Sequence, residues 1–204
     1  MKNEYPQFAF WEIFLVLLGW VFLNFRLIDY IYRFKFSYAI TSLLLAGAIL
    51  YYLKRIYSFK AKIILELASL AKLFPFILLS FLLLVPLGLV MGFLVFHFSL
   101  ARFLLIPLIL AGIYLTIGLV EELIFRQVLL VYLVQKFNFS LALVVSSSLF
   151  GLSHVVRGGF PNWHYVLLAS IASLIYGVVF KKFGLASAIF VHSVIDTIKS
   201  VFFF

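Results

Sequence analysis

Ionisable side chains interrupt otherwise apolar stretches at three places in the second half of the sequence. The three clusters are Glu121, Glu122 and Arg126; Phe150 and His154; and His192 and Asp196. An ionisable side chain at membrane depth costs about 2.5–3.5 kcal/mol, so it normally has a partner or a function. Because positions four apart lie on one face of an α-helix, each cluster presents its polar members to one neighbour.

The first two clusters lie at matching depths. Glu121 and His154 each lie about fifteen residues from the polar connection at 136–138, which is roughly 20–23 Å at helical rise. Two antiparallel helices would bring this carboxylate and imidazole to one level. There they can hold a water and remove its proton, while His192 with its neighbour Asp196 can donate to a developing oxyanion. The clusters therefore predict a hydrolytic site.

The same residue types allow a metal-dependent alternative. Two histidines with one or two carboxylates suit Zn²⁺ with an open position for water, so the candidate ligands are Glu121, His154, His192 and Asp196. The H-E-x-x-H motif of soluble zinc proteases is absent, and the chain has no cysteine to act as a nucleophile or ligand. The residues alone leave metal-free and zinc chemistry open.

The order of the clusters resembles a known family. E-E-L-I-F-R at 121–126, F-G-L-S-H at 150–154 and H-S-V-I-D at 192–196 are similar to the EExxxR, FxxxH and HxxxN/D motifs of the CPBP intramembrane proteases. This family includes the type II CAAX prenyl endoproteases and the bacterial Abi proteins. The resemblance implies an intramembrane endopeptidase, with glutamate and metalloprotease mechanisms both open.

The resemblance also implies catalytic roles. Glu121 would be the general base that activates water, with His154 sharing that role, and His192 and Asp196 would stabilise the oxyanion. The family often has Asn where this chain has Asp196. Since an ionised Asp cannot donate a hydrogen bond, Asp196 is expected to orient His192, to be protonated or to bind a metal.

Glu122, Arg126 and Phe150 are expected to be supporting residues. The resemblance implies that Glu122 and Arg126 form an ion pair beside the site. The alternative is a buried ion pair that only holds two helices together. The reaction cavity is expected between the fourth, fifth and seventh predicted membrane spans.

Composition indicates which elements must position these residues. The chain has 204 residues, of which 66% are hydrophobic and 11% charged, and its mean hydropathy is +1.23. Residues 74–98 contain no Asp, Glu, Lys or Arg, and about 20 such residues suffice to cross a hydrocarbon core. The sequence predicts an all-α, polytopic membrane helical bundle.

Apolar runs predict about seven spans, with six or eight as alternatives. The runs are residues 8–25, 36–53, 74–98, 103–134, 139–156, 165–181 and 185–203. We expect one integral membrane domain over residues 1–204, with the motif-bearing core at about 103–203. The run at 103–134 is long for one crossing and is expected to be tilted or broken. Residues 58–73 are predicted to form an interfacial amphipathic helix.

The net charge of +9 has a lipid explanation. Basic residues cluster in short connections, where they meet anionic headgroups, so nucleic-acid binding is not expected. The expected partners are the bilayer and a peptide or membrane-protein substrate, and the expected location is the cell membrane of a prokaryote. The oligomeric state stays open.

Two other functional classes remain as alternatives. Intramembrane Glu, Asp and His also mark ion paths, so an ion-coupled transporter is one, although no inverted repeat is visible in the sequence. A non-catalytic chaperone or immunity protein is the other. His97 and His164 lie near span ends and are left out of the site. Residues 146–148 are serines that favour close helix packing, since G-x-S-x-G is missing.

Overall fold

The computed structural model describes residues 9–31, 35–57, 70–155 and 161–203. Two long helices come first, α1 (Phe10–Ile31) and α2 (Lys35–Tyr57), followed by α3 (Leu70–Val90). Within these residues the regular elements are helices and no strand forms, which confirms the all-α prediction. Most of the predicted amphipathic helix at 58–73 lies outside the described residues, and only its last turn is seen, as the start of α3.

Residues 100–136 form an interrupted helix. Its regular parts are α4 (Leu100–Leu104), α5 (Ile106–Ile109), α6 (Leu115–Glu122) and α7 (Val131–Lys136), and wide π-type turns occupy Leu110–Tyr114 and Leu123–Leu130. The sequence left a tilted or a broken helix open for this stretch, and the structure shows a broken one. Wide turns rotate the side-chain positions that follow them, and such turns are frequent at functional sites. Here they flank α6, the part that ends in the paired glutamates.

Three helices complete the chain: α8 (Phe139–Leu152), α9 (Trp163–Phe183) and α10 (Leu185–Phe202). The Asn138 side chain accepts a hydrogen bond from the Leu141 N–H at 2.9 Å and so caps the start of α8. Between α9 and α10 stands one residue, Gly184, whose φ of +86° suits glycine. This short connection keeps α9 and α10 adjacent and packed together.

Two glycines allow helices of the second half of the chain to pack closely. A Cβ added to Gly151 would lie 2.4 Å from the carbonyl oxygen of Val166, and one added to Gly118 would lie 3.3 Å from that of Ile189. The backbones of α8 and α9, and those of α6 and α10, therefore approach directly. Such small-residue contacts are typical of helices packed in membranes.

The third predicted span, 74–98, is wrong at its end. Helix α3 stops at Val90, and Gly92 follows with a φ of +66°. Residues 93–99 then lie beside the end of α10, where the His97 N–H donates to the Phe202 carbonyl at 2.8 Å. Hydropathy could not show this break, because residues 93–98 are as apolar as the helix before them.

Three helices in the described part are long and apolar enough to cross a membrane: Leu70–Val90, Trp163–Phe183 and Leu185–Phe202. Only 17% of the α3 window is buried inside the protein, so most of its apolar surface faces outward. Phe10–Trp20, Leu43–Lys54 and Phe139–Leu152 are shorter apolar helical stretches. The protein is a membrane protein on this evidence, and the count of seven spans stays a prediction.

Candidate active site

Three parts of the fold supply the clustered polar residues. Glu121 and Glu122 end α6, His154 lies in the turn just after α8, and His192 and Asp196 lie on α10. Both glutamates are completely buried, and both histidines are 3% exposed. Helix α10 packs against α6, and α8 packs against the wide turn that follows α6. This packing brings all five side chains to one place.

His192 is held between the two glutamates. Its Nδ1 lies 2.9 Å from Glu122 Oε1, and its Nε2 lies 3.5 Å from Glu121 Oε2. Consecutive residues of a helix point about 100° apart, so one imidazole can meet a different carboxylate at each ring nitrogen. A carboxylate only accepts, so Nδ1 carries a hydrogen and donates to Glu122. Nε2 is left to face Glu121 and Asp196.

His154 lies near the other carboxylate oxygen of Glu121. Its Nδ1 lies 2.8 Å from the Phe150 carbonyl oxygen and 3.0 Å from Ser153 Oγ. Ser153 Oγ already donates to the same carbonyl at 2.7 Å. The carbonyl is an acceptor, so this network places the hydrogen of a neutral His154 on Nδ1. Nε2 then presents a lone pair, 3.8 Å from Glu121 Oε1.

Glu121 thus lies between the two imidazoles, with one oxygen toward each. The 3.8 Å separation from His154 is too long for a hydrogen bond but suits a bridging water, since a water about 2.8 Å from both atoms closes the triangle. Both atoms can accept, so such a water would donate one hydrogen to each. That is the arrangement needed to remove a proton from a nucleophilic water.

Glu122 and Arg126 form the ion pair that the sequence predicts. Arg126 Nε donates to Glu122 Oε2 at 2.9 Å, and Nη2 donates to Ser173 Oγ at 2.8 Å. The guanidinium carbon lies 5.5 Å from the centre of the Phe150 ring. The sequence did not predict that Glu122 also binds His192, so this residue connects the ion pair to the site.

Asp196 is more exposed than the glutamates, with 16% of its side chain accessible. Its Oδ2 lies 3.6 Å from His192 Nε2, and its Oδ1 lies 3.4 Å from Lys199 Nζ. Lys199 also donates to the Tyr165 hydroxyl at 3.2 Å. Sequence reasoning missed Lys199, although its position three residues after Asp196 on a helix was a usable signal.

Two tyrosines of α9 cover the histidines. Tyr176 stacks on His192 with ring centres 4.6 Å apart and 15° between planes, and Tyr165 stacks on His154 at 5.5 Å and 23°. Phe150 contacts both imidazoles, with ring centres 4.7 and 5.8 Å away. The supporting role of Phe150 stays a prediction. Nothing in the spacing of the two tyrosines marks them in the sequence.

A cavity of about 80 Å³, which we call the site cavity, opens onto this cluster. His154, His192, Asp196, Lys199 and Tyr165 form its polar end. Its remaining walls are mainly apolar and come from α3, the segment after α3, α9 and α10; they include Phe81, Leu84, Val85, Phe93, Leu168, Ile195 and Ile198.

The walls differ from the expected ones. The interrupted helix, which contains the fourth predicted span, does not line the site cavity, whereas α3 and α9 do. Glu121 is fully buried and does not line the site cavity.

The four candidate metal ligands lie close together but are not arranged as a metal site. In the part of the chain that the structure describes, no group of three or more His, Cys, Asp or Glu is arranged to hold a metal ion. Glu121, His154, His192 and Asp196 lie around a shared region, yet they do not form such a group. As the side chains lie in this structure, the four residues are not arranged as a metal centre.

Residues left out of the predicted site also lie outside the cluster. His97 and His164 are exposed and do not line the site cavity. Ser146 and Ser147 are buried, and Ser146 Oγ donates to the Phe125 carbonyl at 2.9 Å, which ties α8 to the interrupted helix. Glu12 accepts hydrogen bonds from the Ala9 N–H and the Tyr52 hydroxyl, away from the cavity.

Comparison with known proteins gives one family. Residues 101–198 match the family model described as type II CAAX prenyl endopeptidase Rce1-like. The matched stretch is just under half of the chain and contains all three motifs, so it confirms the resemblance to the CPBP family. No curated protein and no solved structure matches the chain.

Proposed function

We propose that this protein is an intramembrane endopeptidase that hydrolyses a peptide bond with a water activated by Glu121 and His154. One observation carries the proposal: two acceptor atoms, Glu121 Oε1 and the lone pair of His154 Nε2, face each other across 3.8 Å in a buried site. A water donating to both is polarised and held in one orientation. The match to a protease family supports the same reaction class.

The reaction would follow from these positions. Glu121 takes a proton as the water oxygen attacks the carbonyl carbon of the scissile bond. The carbonyl oxygen becomes an oxyanion, to which His192 donates from Nε2 when both of its nitrogens carry hydrogen. The proton held by Glu121 then passes to the amide nitrogen, directly or through His154, as the C–N bond breaks. Glu122 and Asp196 hold the His192 ring in place.

The chemistry is proposed to be metal-free. The support is the donor arrangement itself, since the candidate ligands do not form a three-donor group. His154 is oriented through Nδ1 by the Phe150 carbonyl, and His192 through Nδ1 by Glu122, so each ring has a fixed function without a metal. Activity that resists a chelator is the expected result.

The substrate is proposed to carry an apolar group or segment next to the scissile bond. The polar end of the site cavity holds the histidines, and apolar side chains of α3, α9 and α10 continue from it. A prenylated peptide with a CAAX-type end has this character, as the matched family's description suggests. A transmembrane peptide shares it, so both belong in the test.

The test uses purified full-length protein in lipid vesicles with three quenched fluorescent peptides. They are a prenylated CAAX-type peptide, the same peptide without its prenyl group, and a transmembrane peptide. We expect the wild type to cleave at least one apolar peptide, with and without EDTA. Glu121→Gln and His154→Ala should lower the rate by at least about 100-fold, whereas the matched controls Glu12→Gln and His97→Ala should not change it.

Several outcomes would contradict the proposal. Cleavage of none of the peptides by the wild type, or cleavage that survives both substitutions, excludes the proposed hydrolysis. Loss of activity in EDTA that Zn²⁺ restores would keep the protease and overturn the metal-free mechanism.

A further inference from the structure

Lys199 stands at the polar end of the site cavity, where the reaction scheme above gives it no part. Of the described residues that line this cavity, Lys199 is the only lysine or arginine. Its side chain is 34% exposed. A lysine in the last turn of a helix is favoured by the helix dipole and can extend toward water, which is the purely structural explanation.

The contacts of Lys199 go beyond that explanation. Its Nζ lies 3.4 Å from Asp196 Oδ1, while the other oxygen of the same carboxylate lies 3.6 Å from His192 Nε2. Asp196 therefore stands between a cation and the imidazole. With Lys199 neutralising one side, the carboxylate can remain charged in a largely apolar cavity and keep its second oxygen toward His192.

Lys199 also reaches the other half of the site. Its Nζ donates to the Tyr165 hydroxyl at 3.2 Å and lies 5.3 Å from the centre of that ring. The same ring stacks on His154. One side chain of α10 thus fixes a carboxylate beside His192 and a ring over His154.

We propose that Lys199 is a positioning residue for the hydrolytic site, acting through Asp196 on His192 and through Tyr165 on His154. The proposal rests on the proposed function. Its central consequence is that Lys199 and Asp196 work as a pair. A neutral amide at position 196 needs no counter-charge, so Asp196→Asn should remove most of the requirement for Lys199.

The experiment measures kcat and KM for the prenylated CAAX-type peptide in the same vesicles. Lys199→Met should lower kcat about 10- to 100-fold, which is the usual effect of removing a group that holds the hydrogen-bond partner of a functional histidine. KM should change little, because the peptide does not depend on Lys199 for binding. Lys199→Arg retains the charge and should recover activity to within a few-fold of the wild type.

A double-mutant cycle tests the pairing. Adding Lys199→Met to Asp196→Asn should lower kcat by no more than Tyr165→Phe lowers it in the wild type, so that the two effects do not multiply. Tyr165→Phe keeps the ring over His154 and loses only the hydroxyl, so its effect should be smaller than that of Lys199→Met. Lys136→Met is the matched control at an exposed position on α7, and it should behave as the wild type.

The result that overturns the proposal is wild-type kcat in Lys199→Met, or a fall in activity that Lys199→Arg does not recover. Multiplying effects in the double variant would also refute it. If Asp196→Asn is inactive, the double variant gives no information, and the kcat values of Lys199→Met and Lys199→Arg alone decide whether the positioning role holds. Glu121→Gln separates the two proposals. If Glu121→Gln is fully active, hydrolysis at this site is refuted. If Glu121→Gln is inactive and Lys199→Met has wild-type activity, only the positioning role is refuted.

Discussion

Replacement of Arg126 by Met tests whether the buried ion pair determines stability. The guanidinium is completely buried and interacts with Glu122 Oε2 at 2.9 Å, Ser173 Oγ at 2.8 Å and the Phe150 ring, whose centre is 5.5 Å away. Methionine retains much of the side-chain length and volume, so the main loss is the charge and its hydrogen bonds. Glu122 would be left as a buried carboxylate whose remaining partner is His192.

The expected loss is about 3–5 kcal/mol in the free energy of unfolding, because removing one member of a buried pair leaves an uncompensated charge. A direct estimate agrees: two unit charges 4 Å apart attract by about 4 kcal/mol at an effective dielectric constant of 20. Replacing both members, as in Glu122→Gln with Arg126→Met, removes both charges. The double variant should therefore be more stable than Arg126→Met alone.

The assay is reversible unfolding in mixed micelles with increasing SDS, followed by tryptophan fluorescence. Lys181→Met is the control, since the Lys181 ammonium lies 4.0 Å from the Phe139 ring centre but is exposed, and its loss should cost less than about 1 kcal/mol. If Arg126→Met loses no more than this control, the pair does not stabilise the fold. A double variant as unstable as the sum of the two single variants would show that the charges are not coupled.

Two further substitutions test the packing around the histidines. Gly151→Ala would put a methyl group 2.4 Å from the Val166 carbonyl oxygen, so we expect α8 and α9 to separate, with a loss of about 1–3 kcal/mol in the same unfolding assay; wild-type stability would contradict this close approach. Tyr176→Leu removes the ring that stacks on His192, and about 0.5–1.5 kcal/mol of stacking predicts a kcat about 2- to 10-fold lower. Tyr176→Phe keeps the ring and should lose much less, so equal losses in the two variants would assign the effect to the hydroxyl.

Some features followed from the sequence because they depend on local order. Apolar composition requires a membrane environment, and the three motifs require helices with polar faces four residues apart. The long run at 103–134 was expected to be tilted or broken, and it lies within the interrupted helix. Equal distances from the connection at 136–138 predicted that Glu121 and His154 would meet, and the structure brings them to 3.8 Å.

Other features depend on which helix faces which, and helical periodicity does not specify that. Glu122 was expected to pair with Arg126 four residues away, but its bond to His192 joins residues 70 positions apart and exists only because α6 and α10 pack together. The end of α3 at Val90 was hidden by the apolar residues that follow.

The composition of the site cavity was likewise decided by tertiary structure. Apolar spacing indicates that a tyrosine lies in a helix, but not whether its ring meets lipid, core or an imidazole. Tyr165 and Tyr176 became part of the site because glycine contacts bring α8 close to α9 and because α10 packs on the same helix. Local sequence thus determined which chemical groups the protein carries within its helices, while packing between distant helices determined which of those groups meet and how a substrate reaches them.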